Sequence, residues 1–259
     1  MNKTKIDWCD MSWNPVTGCL YGCPYCYARS IAERFSGAKG ITTPPALEKI
    51  DLHKKMLISG KVSSFPYGFL PAFHRYRLEE PAQRKNPQNI FVCSMADLFG
   101  EWVPDEWIQE VFKACEKAPQ HRYLFLTKNP ERYKELNKKN LLPCNNNFWF
   151  GTSTETENSN YWYSENHNFF ISIEPIMSEF TNMDTEVKRI ISGLYIPWVI
   201  VGAETGNRKD KVIPKKEWIQ NILDKCREQH IPVFVKNNLA KIWGEPLVQE
   251  YPWSCKKEK

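Results

Sequence analysis

The chain has 259 residues, of which 42% are hydrophobic and 25% are charged, a balance typical of folded globular proteins and not of disordered chains. No apolar run approaches the roughly 20 residues that a membrane helix needs, and the start of the chain leads into no apolar signal core. We therefore expect a cytoplasmic protein that does not enter membranes. Nine cysteines in such a protein favour metal ligation or redox chemistry over disulfides, because the cytosol keeps thiols reduced. The net charge of +5 permits an anionic partner without requiring one.

The first predicted strand, over residues 13–18, leads directly into a cysteine-rich loop. This loop holds Cys19, Cys23 and Cys26 and precedes a predicted helix over residues 28–35. Thiolates are the usual ligands of iron–sulfur clusters. Three ligands serve three of the four irons of a 4Fe-4S cluster, which leaves one iron open to a small molecule, as in a catalytic zinc site. The loop therefore predicts a cluster that takes part in chemistry.

Two other interpretations of this loop stay open. Cys9 is a possible fourth ligand that would close a zinc or electron-transfer site, although its spacing from Cys19 is unlike that of common zinc knuckles. Alternatively, the three thiols are inert core residues. Three cysteines so close together in a loop are unusual for a hydrophobic core. Cys115 and Cys226, by contrast, fall on the apolar faces of predicted helices and are expected to be small core residues.

The rest of the chain alternates short apolar runs with amphipathic helices. The helices are predicted over 104–118 and 214–230, where apolar residues recur at helical spacing. Besides 13–18, strands are predicted over 70–74, 90–93, 123–126, 148–151, 169–173, 198–202 and 232–235. We therefore predict an α/β fold with a single (β/α) barrel of TIM type, complete or nearly complete, over residues 1–259, with a short basic tail at 256–259.

Polar side chains follow the predicted strands. Active sites of such barrels lie at the carboxyl ends of their strands, so these side chains are candidates for a site, although any one of them is as often a simple loop cap. They are Ser94, Asp97, Lys128, Ser153, Glu155, Glu174, Glu204 and Lys236.

The spacing Cys-x3-Cys-x2-Cys, with an aromatic residue before the last cysteine, resembles the signature of the radical S-adenosylmethionine (SAM) superfamily. Further motifs are Trp13-Asn14-Pro15-Val16-Thr17-Gly18, Ser94-Met95-Ala96-Asp97-Leu98-Phe99, Leu126-Thr127-Lys128, Ser172-Ile173-Glu174-Pro175 and Gly202-Ala203-Glu204-Thr205-Gly206. With these motifs, the chain resembles a phage-associated, three-cysteine family of unknown function within that superfamily, over about residues 5–244. Members of that family often have a wider gap between the first two cysteines, so this chain departs toward the usual radical SAM spacing.

The resemblance implies cofactors and a reaction type. The open iron would bind the amino and carboxylate groups of SAM, and the reduced cluster would cleave SAM to a 5'-deoxyadenosyl radical that abstracts hydrogen from a substrate. An electron donor such as a flavodoxin or ferredoxin would be required. A Gly-Gly-Glu that many relatives use for the SAM amino group is missing here, and residues 74–80 stand in its place.

Three predicted strand ends are also similar to the spore photoproduct lyase branch, which implies that Ser94, Lys128 and Ser153 hold SAM. A lysine suits the SAM carboxylate, and the two hydroxyls suit the carboxylate or ribose. The backbone of Tyr25 would face the adenine. Lys128 has an alternative as the partner of a helix-end carboxylate. Cys93 is a candidate donor of a hydrogen atom to the product radical, or else a buried packing residue.

Two loops are candidates for the substrate. Residues 157–167 hold three adjacent aromatic side chains, which suit stacking on a base or merely pin the loop. Arg208, Lys209 and Lys211 lie where barrels often bind phosphate, or form a solvated cluster. The leading hypothesis is a radical SAM enzyme that acts on a nucleobase, nucleotide or nucleic acid. A peptide or small metabolite as substrate is the second hypothesis, and a non-enzymatic zinc- or iron–sulfur-binding nucleic-acid module is the third.

Overall fold

The computed structural model describes residues 1–36, 50–58, 61–180, 198–206 and 208–254. The tail predicted at 256–259 lies outside these residues. The chain divides into two compact units, Met1–Pro143 (unit 1) and Cys144–Lys259 (unit 2), and both have an α/β fold with largely parallel strands. The complete barrel over 1–259 stays a prediction. Within the described ranges, none of the helices is both long and apolar enough to cross a membrane.

The elements are numbered here in chain order. The strands are β1 (Asn2–Lys3), β2 (Met11–Trp13), β3 (Val16–Thr17), β4 (Asp51–Leu52), β5 (Leu57–Ile58), β6 (Lys61–Val62), β7 (Ala72–His74), β8 (Asn89–Val92), β9 (Arg122–Thr127), β10 (Phe148–Thr154), β11 (Asn168–Ile173), β12 (Trp198–Val201) and β13 (Val233–Val235). The helices are α1 (Tyr27–Phe35), α2 (Asp105–Glu116), α3 (Pro130–Lys138), α4 (Lys216–Glu228) and α5 (Ala240–Trp243), with 3-10 turns at Arg75–Arg77 and Asn237–Leu239.

The main sheet of unit 1 has the strand order β1-β2-β8-β9. β1 is antiparallel to β2, whereas β2, β8 and β9 are parallel to one another. Helix α2 buries the face predicted from its apolar spacing, with Ile108, Val111 and Cys115 fully buried. Because the three main strands are parallel, the residues that follow β8 and β9 lie at the same edge of this sheet.

Unit 1 has a smaller, three-stranded sheet, and two of the predicted strands differ from the structure because of it. The strand predicted over 13–18 is two strands, β2 and β3, which belong to different sheets. They separate at Asn14-Pro15, where the proline has no N–H group to continue a ladder. β3 pairs antiparallel with β7, and β7 pairs parallel with β4. The strand predicted over 70–74 therefore lies in the smaller sheet and not beside β2 in the main one.

A buried histidine ends the central strand of this small sheet. The side chain of His74 is fully buried; its Nε2 lies 2.8 Å from the hydroxyl of Thr17, and its Nδ1 lies 3.2 Å from the hydroxyl of Tyr76. Burial lowers the pKa of His74 from 6.5 to about 3, and the charge of Arg77 lowers it further. The imidazole is therefore neutral in the folded protein over most of the acidic range.

We expect His74 to make the fold sensitive to acid. A histidine whose pKa is lowered by folding stabilises the protein above pH 6.5, and this contribution is lost as the pH falls toward 3. Between pH 7.5 and pH 4.5 the loss is about 2 to 3 kcal/mol. Urea unfolding of the wild type and of His74→Gln at both pH values measures it. An equal loss of stability in the two proteins would assign the acid sensitivity elsewhere.

Unit 2 is built on four parallel strands in the order β10-β11-β12-β13. Its helix α4 buries Ile219, Ile222, Leu223 and Cys226 among the strand residues, as the apolar spacing predicts. The side chains that follow these strands consequently share one edge of the unit, and those that precede the strands share the opposite edge.

Candidate functional site

The cysteine loop starts at a glycine that no other residue can replace without strain. Gly18 has a φ of +88°, and its N–H donates to the carbonyl of Met95 at 2.9 Å. A Cβ atom at Gly18 would collide with the carbonyl of Leu70. Gly22, between the first two cysteines, also has a positive φ of 69°, but nothing lies within 4 Å of its missing Cβ. Both glycines thus turn the loop with a left-handed conformation, and Gly18 is required in addition because Leu70 comes so close to it.

These two glycines make a matched pair of variants. Gly22→Ala is expected to lower the free energy of unfolding by about 1 to 2 kcal/mol, the cost of a left-handed conformation for an alanine. Gly18→Ala is expected to cost about 1 to 3 kcal/mol more, because it adds a collision with backbone atoms. Denaturant unfolding of both variants measures the difference. Equal losses would show that the approach of Leu70 to Gly18 does not constrain the loop.

The loop is attached to unit 1 by its own backbone. The N–H of Cys19 donates to the carbonyl of Phe69 at 3.1 Å, and the guanidinium of Arg29 donates to the carbonyl of Cys19 at 3.3 Å. Cys26 is the N-cap of α1, where its sulfur accepts the N–H of Arg29 at 3.4 Å. The positive end of a helix dipole favours a negatively charged thiolate at this position. The backbone therefore holds two of the three cysteines at fixed points.

The three thiols lie within electrostatic range of one another. Burial raises the pKa of the Cys19 thiol to about 12; a backbone hydrogen bond from Tyr21 opposes the shift, and Asp97, Cys23 and Cys26 add to it. All three side chains are half-buried. Among the described residues, no group of three or more His, Cys, Asp or Glu side chains is arranged to hold a single metal ion. Cys19, Cys23 and Cys26 are nevertheless the side chains that could hold an iron–sulfur cluster, because thiolates are the usual ligands of such clusters.

Cys9 lies away from this loop. It precedes β2, at the amino end of the parallel strands, whereas the contact of Gly18 with Met95 lies beyond the carboxyl end of β8. The Cys9 thiol is buried and donates to the carbonyl of Ile6 at 3.7 Å. This position does not favour Cys9 as a fourth ligand.

A buried carboxylate connects the ends of β8 and β9. Asp97 accepts the hydroxyl of Thr127 at 2.8 Å, the N–H of Lys128 at 2.8 Å and the N–H of Phe99 at 3.0 Å. Burial raises the pKa of the Asp97 carboxyl above its ordinary value, although these donors favour the charged form. Asp97 lies near the cysteine loop, because Met95, two residues before it, accepts the N–H of Gly18 at 2.9 Å. The charge of Asp97 accordingly helps to raise the pKa of the Cys19 thiol.

The structure brings the unit 1 candidates for SAM together at this edge. The ammonium of Lys128 donates to the hydroxyl of Tyr25 at 2.9 Å and lies 5.3 Å from the centre of its ring. The hydroxyl of Tyr27 donates to the carbonyl of Ser94 at 2.7 Å. Lys128 thus contacts the cysteine loop, and the backbone of Ser94 contacts the first residue of α1.

Asn14 is a residue whose role the sequence reasoning missed. Its side-chain oxygen accepts the hydroxyl of Ser94 at 3.2 Å and the N–H of Met95 at 2.9 Å. Its own carbonyl accepts the guanidinium of Arg77 at 2.7 Å. An asparagine before a proline is typical of turns, and that was the available signal, but the turn alone does not indicate what the amide binds.

Cys93 lies in the core of unit 1. It is 2% exposed, has a φ of +61° and raises the pKa of Cys115 on the buried face of α2. Burial likewise raises the pKa of Cys93 to about 12. The extended conformation of β8 therefore ends at Cys93, so the two sides to which Cys93 and Ser94 point do not follow from the alternation of side chains along a strand. Its burial is typical of a packing residue, and a role of Cys93 as hydrogen-atom donor stays a prediction.

The segment that replaces the missing Gly-Gly-Glu has structural partners. Arg75 donates to both carboxylate oxygens of Asp51 at 2.7 Å and also pairs with Glu110. Arg77 binds the carbonyl of Asn14, as described above. These contacts fix the 3-10 turn after β7 to its neighbours in unit 1.

In unit 2, three candidate side chains meet at the carboxyl edge of the strands. The hydroxyl of Ser153 donates to the carbonyl of Glu174 at 3.2 Å, and Lys236 forms an ion pair with the Glu174 carboxylate. Gly202 leaves room for this pair, because a Cβ there would lie 2.8 Å from Cδ of Lys236 and 3.1 Å from Cδ of Glu174. Ser153, Glu174 and Lys236 are therefore in contact with one another through Glu174 at this edge of unit 2.

The other unit 2 candidates have local partners. The buried Glu204 binds Arg208 through two hydrogen bonds of 2.8 Å, and these bonds lower the pKa of its carboxyl. Lys211 donates to the carbonyl of Gly206 at 3.0 Å. The backbone carbonyl of Glu155 accepts the N–H of Met177 at 3.0 Å. Arg208 and Lys211 thus both make contacts within their own loop.

The aromatic loop at 157–167 turns two of its three rings inward. Trp162 is 4% exposed and contacts Phe150 edge-on, and Tyr161 packs against the core of unit 2. Tyr163 remains 48% exposed. This arrangement matches a loop pinned by its aromatic residues more closely than a stacking platform of three rings.

Comparisons with known proteins give a family and two structural likenesses. No curated protein matches the sequence. A cysteine-to-serine mutant of spore photoproduct lyase is 12% identical, with 94% of this chain and 76% of that chain covered and a TM-score of 0.49. Spore photoproduct lyase complexed with dinucleoside spore photoproduct is 11% identical, with 88% and 73% covered and a TM-score of 0.47. A family model described as "Protein of unknown function (DUF5131)" matches residues 3–252, and the chain therefore belongs to that family.

Proposed function

We propose that the protein is a radical SAM enzyme in which Cys19, Cys23 and Cys26 hold a 4Fe-4S cluster. The observation that carries the proposal is the geometry of the cysteine loop. Three half-buried thiols lie in one loop that two left-handed glycines turn and that ends at the start of α1. A set of three thiolates suits an iron–sulfur cluster with one open iron.

Residues of unit 1 would position SAM beside this loop. When bound, the cluster supplies the electron that cleaves SAM to methionine and a 5'-deoxyadenosyl radical. Lys128 offers its ammonium to the SAM carboxylate, and Tyr25 orients that ammonium through the hydrogen bond of 2.9 Å. Ser94 offers a hydroxyl that Asn14 holds in place, and the backbone of Tyr25 would contact the adenine of bound SAM. Asp97 holds the backbone of Lys128 by accepting its N–H.

For the substrate, we propose a nucleobase, nucleotide or nucleic acid. The support is the combination of a serine after β8 and a lysine after β9, which resembles the strand ends of the spore photoproduct lyase branch. A peptide or a small metabolite is the alternative.

Anaerobic reconstitution followed by reduction tests both parts of the proposal. Metal analysis comes first, because zinc without iron would instead support a non-enzymatic module. The loaded protein is then incubated with SAM and with nucleotides, DNA or RNA in one series and peptides in another. We expect 5'-deoxyadenosine to rise above the substrate-free level with the nucleic-acid series. A rise with peptides alone would overturn the substrate class and leave the enzyme class intact.

A further inference from the structure

Unit 2 holds a second cluster of reactive groups, far along the chain from the cysteine loop. The sulfur of Cys144 lies 3.3 Å from Nε2 of His167, and Nδ1 of the same ring lies 2.9 Å from the hydroxyl of Ser164. Cys144 is exposed, whereas His167 is only 4% exposed. A thiol that reaches solvent therefore rests against a buried base, and a third group orients that base.

The imidazole of His167 is held in one orientation. The rings of Phe150 and Trp162 contact it edge-on, with ring centres 5.7 Å and 5.2 Å away. The Ser164 hydroxyl accepts the N–H of Asn166 at 3.3 Å and keeps a second lone pair that can accept Nδ1–H of His167. Its own hydrogen can instead be donated to Nδ1 when that nitrogen carries no proton. With Nδ1–H donated to Ser164, Nε2 is free of its proton and accepts the proton of the Cys144 thiol.

This pair lies apart from the strand-end residues of unit 2. Cys144 precedes β10 and His167 directly precedes β11, and these two strands are parallel and adjacent. The pair therefore lies at the amino edge of the strands, whereas Ser153 and Glu174 lie at the carboxyl edge. Nothing in the proposed SAM chemistry uses this edge.

We propose that Cys144 and His167 form a thiol–imidazole centre at which small electrophiles, hydrogen peroxide above all, modify Cys144. His167 takes the proton of the thiol, and the sulfur attacks one oxygen of the peroxide. The S–O bond forms as the O–O bond breaks, and hydroxide leaves with the electron pair. The sulfur is oxidised by two electrons to a sulfenic acid, and the peroxide is reduced. With iodoacetamide the sulfur of Cys144 displaces iodide and forms a thioether, a substitution that needs no oxidant or reductant.

Alkylation of the full-length protein measures the effect of the base. The protein is treated with limiting iodoacetamide at pH 7, and mass spectrometry follows the peptide that contains Cys144. The reference is a synthetic peptide of residues 141–148, which has the same cysteine and no histidine. Because an ordinary cysteine is only a few per cent thiolate at pH 7, we expect Cys144 in the protein to react about fivefold to tenfold faster than the peptide.

Variants distinguish the effect of His167 on the alkylation rate from the effect of the rest of the surroundings of Cys144. His167→Gln is expected to bring the rate down to that of the peptide, and Ser164→Ala to remove part of the excess. His53→Gln is the control, because His53 is an exposed histidine in unit 1, and it should leave the rate unchanged. In a parallel experiment with hydrogen peroxide, a sulfenic-acid trap should label Cys144 in the wild type and not in folded His167→Gln.

Either of two results would overturn the proposal. One is an alkylation rate of Cys144 in the wild type equal to that of the peptide. This comparison requires no variant, so it can be made even if His167→Gln fails to fold. The other is a folded His167→Gln protein that keeps the full rate. The outcome does not depend on the iron content of the cysteine loop, so it is separable from the test of the radical SAM proposal.

Discussion

Replacement of Cys19, Cys23 or Cys26 by alanine is expected to abolish iron binding. Anaerobically reconstituted wild type should hold about four irons per chain and have the brown colour of a cluster. Each alanine variant removes one of three thiolates and leaves a second iron open, so the cluster should not survive desalting. Iron and sulfide analysis, together with the visible absorption spectrum, measures the loss.

Two other cysteines supply the controls for this result. Cys9 lies at the amino edge of the strands, and Cys115 lies on the buried face of α2. Cys9→Ala and Cys115→Ala should therefore keep the iron. If Cys9→Ala loses the cluster while Cys115→Ala keeps it, the site has four protein ligands, and the open iron that SAM needs is absent. Iron retained in all three loop variants would place the cluster elsewhere.

Lys128→Ala is expected to keep the cluster and to weaken SAM binding tenfold to a hundredfold. Lysine is not a cluster ligand, but its ammonium lies at the cysteine loop against Tyr25. A charge-assisted hydrogen bond to the SAM carboxylate contributes about 1.5 to 3 kcal/mol, which corresponds to that range of affinity. Equilibrium binding of SAM to the anaerobic, iron-loaded variant measures the change.

The control for this variant is Lys117→Ala. Lys117 is an exposed lysine that forms a surface ion pair with Glu79, and its loss should leave SAM binding unchanged. An unchanged affinity in folded, iron-loaded Lys128→Ala would remove Lys128 from the site. Equal weakening in both variants would instead indicate a general effect of net charge.

The sequence predicts the regular elements of this fold well where periodicity decides them. The apolar spacing of α2 and α4 identifies their buried faces, because a helix returns to the same face every three to four residues. The strand predicted over 13–18 was wrong, since apolar residues continue across Asn14-Pro15 while the chain passes from one sheet to another. A run of apolar residues reports burial and does not report which neighbour a strand pairs with.

For the candidate site, the sequence likewise identifies what lies close together in the chain and not what the fold brings together. The cysteine loop is visible from spacing alone, because its three thiols lie close together in the chain. The contact of Lys128 with Tyr25 joins residues 103 positions apart, and that of Cys144 with His167 joins residues 23 apart. Such contacts form only when the chain folds and brings separate segments side by side, so no local pattern indicates them.

The anchors of the cysteine loop also bear on how the protein would acquire the proposed cluster. Gly18 and Cys19 are held by the carbonyls of Met95 and Phe69, which are ordinary backbone groups of unit 1. Small zinc domains, by contrast, gain their fold from the metal and unfold when a chelator removes it. Here the ordering cost of the loop is met by the polypeptide itself. Chelation should strip iron from a chain that remains folded, and the emptied protein should accept iron and sulfide again without passing through an unfolded state.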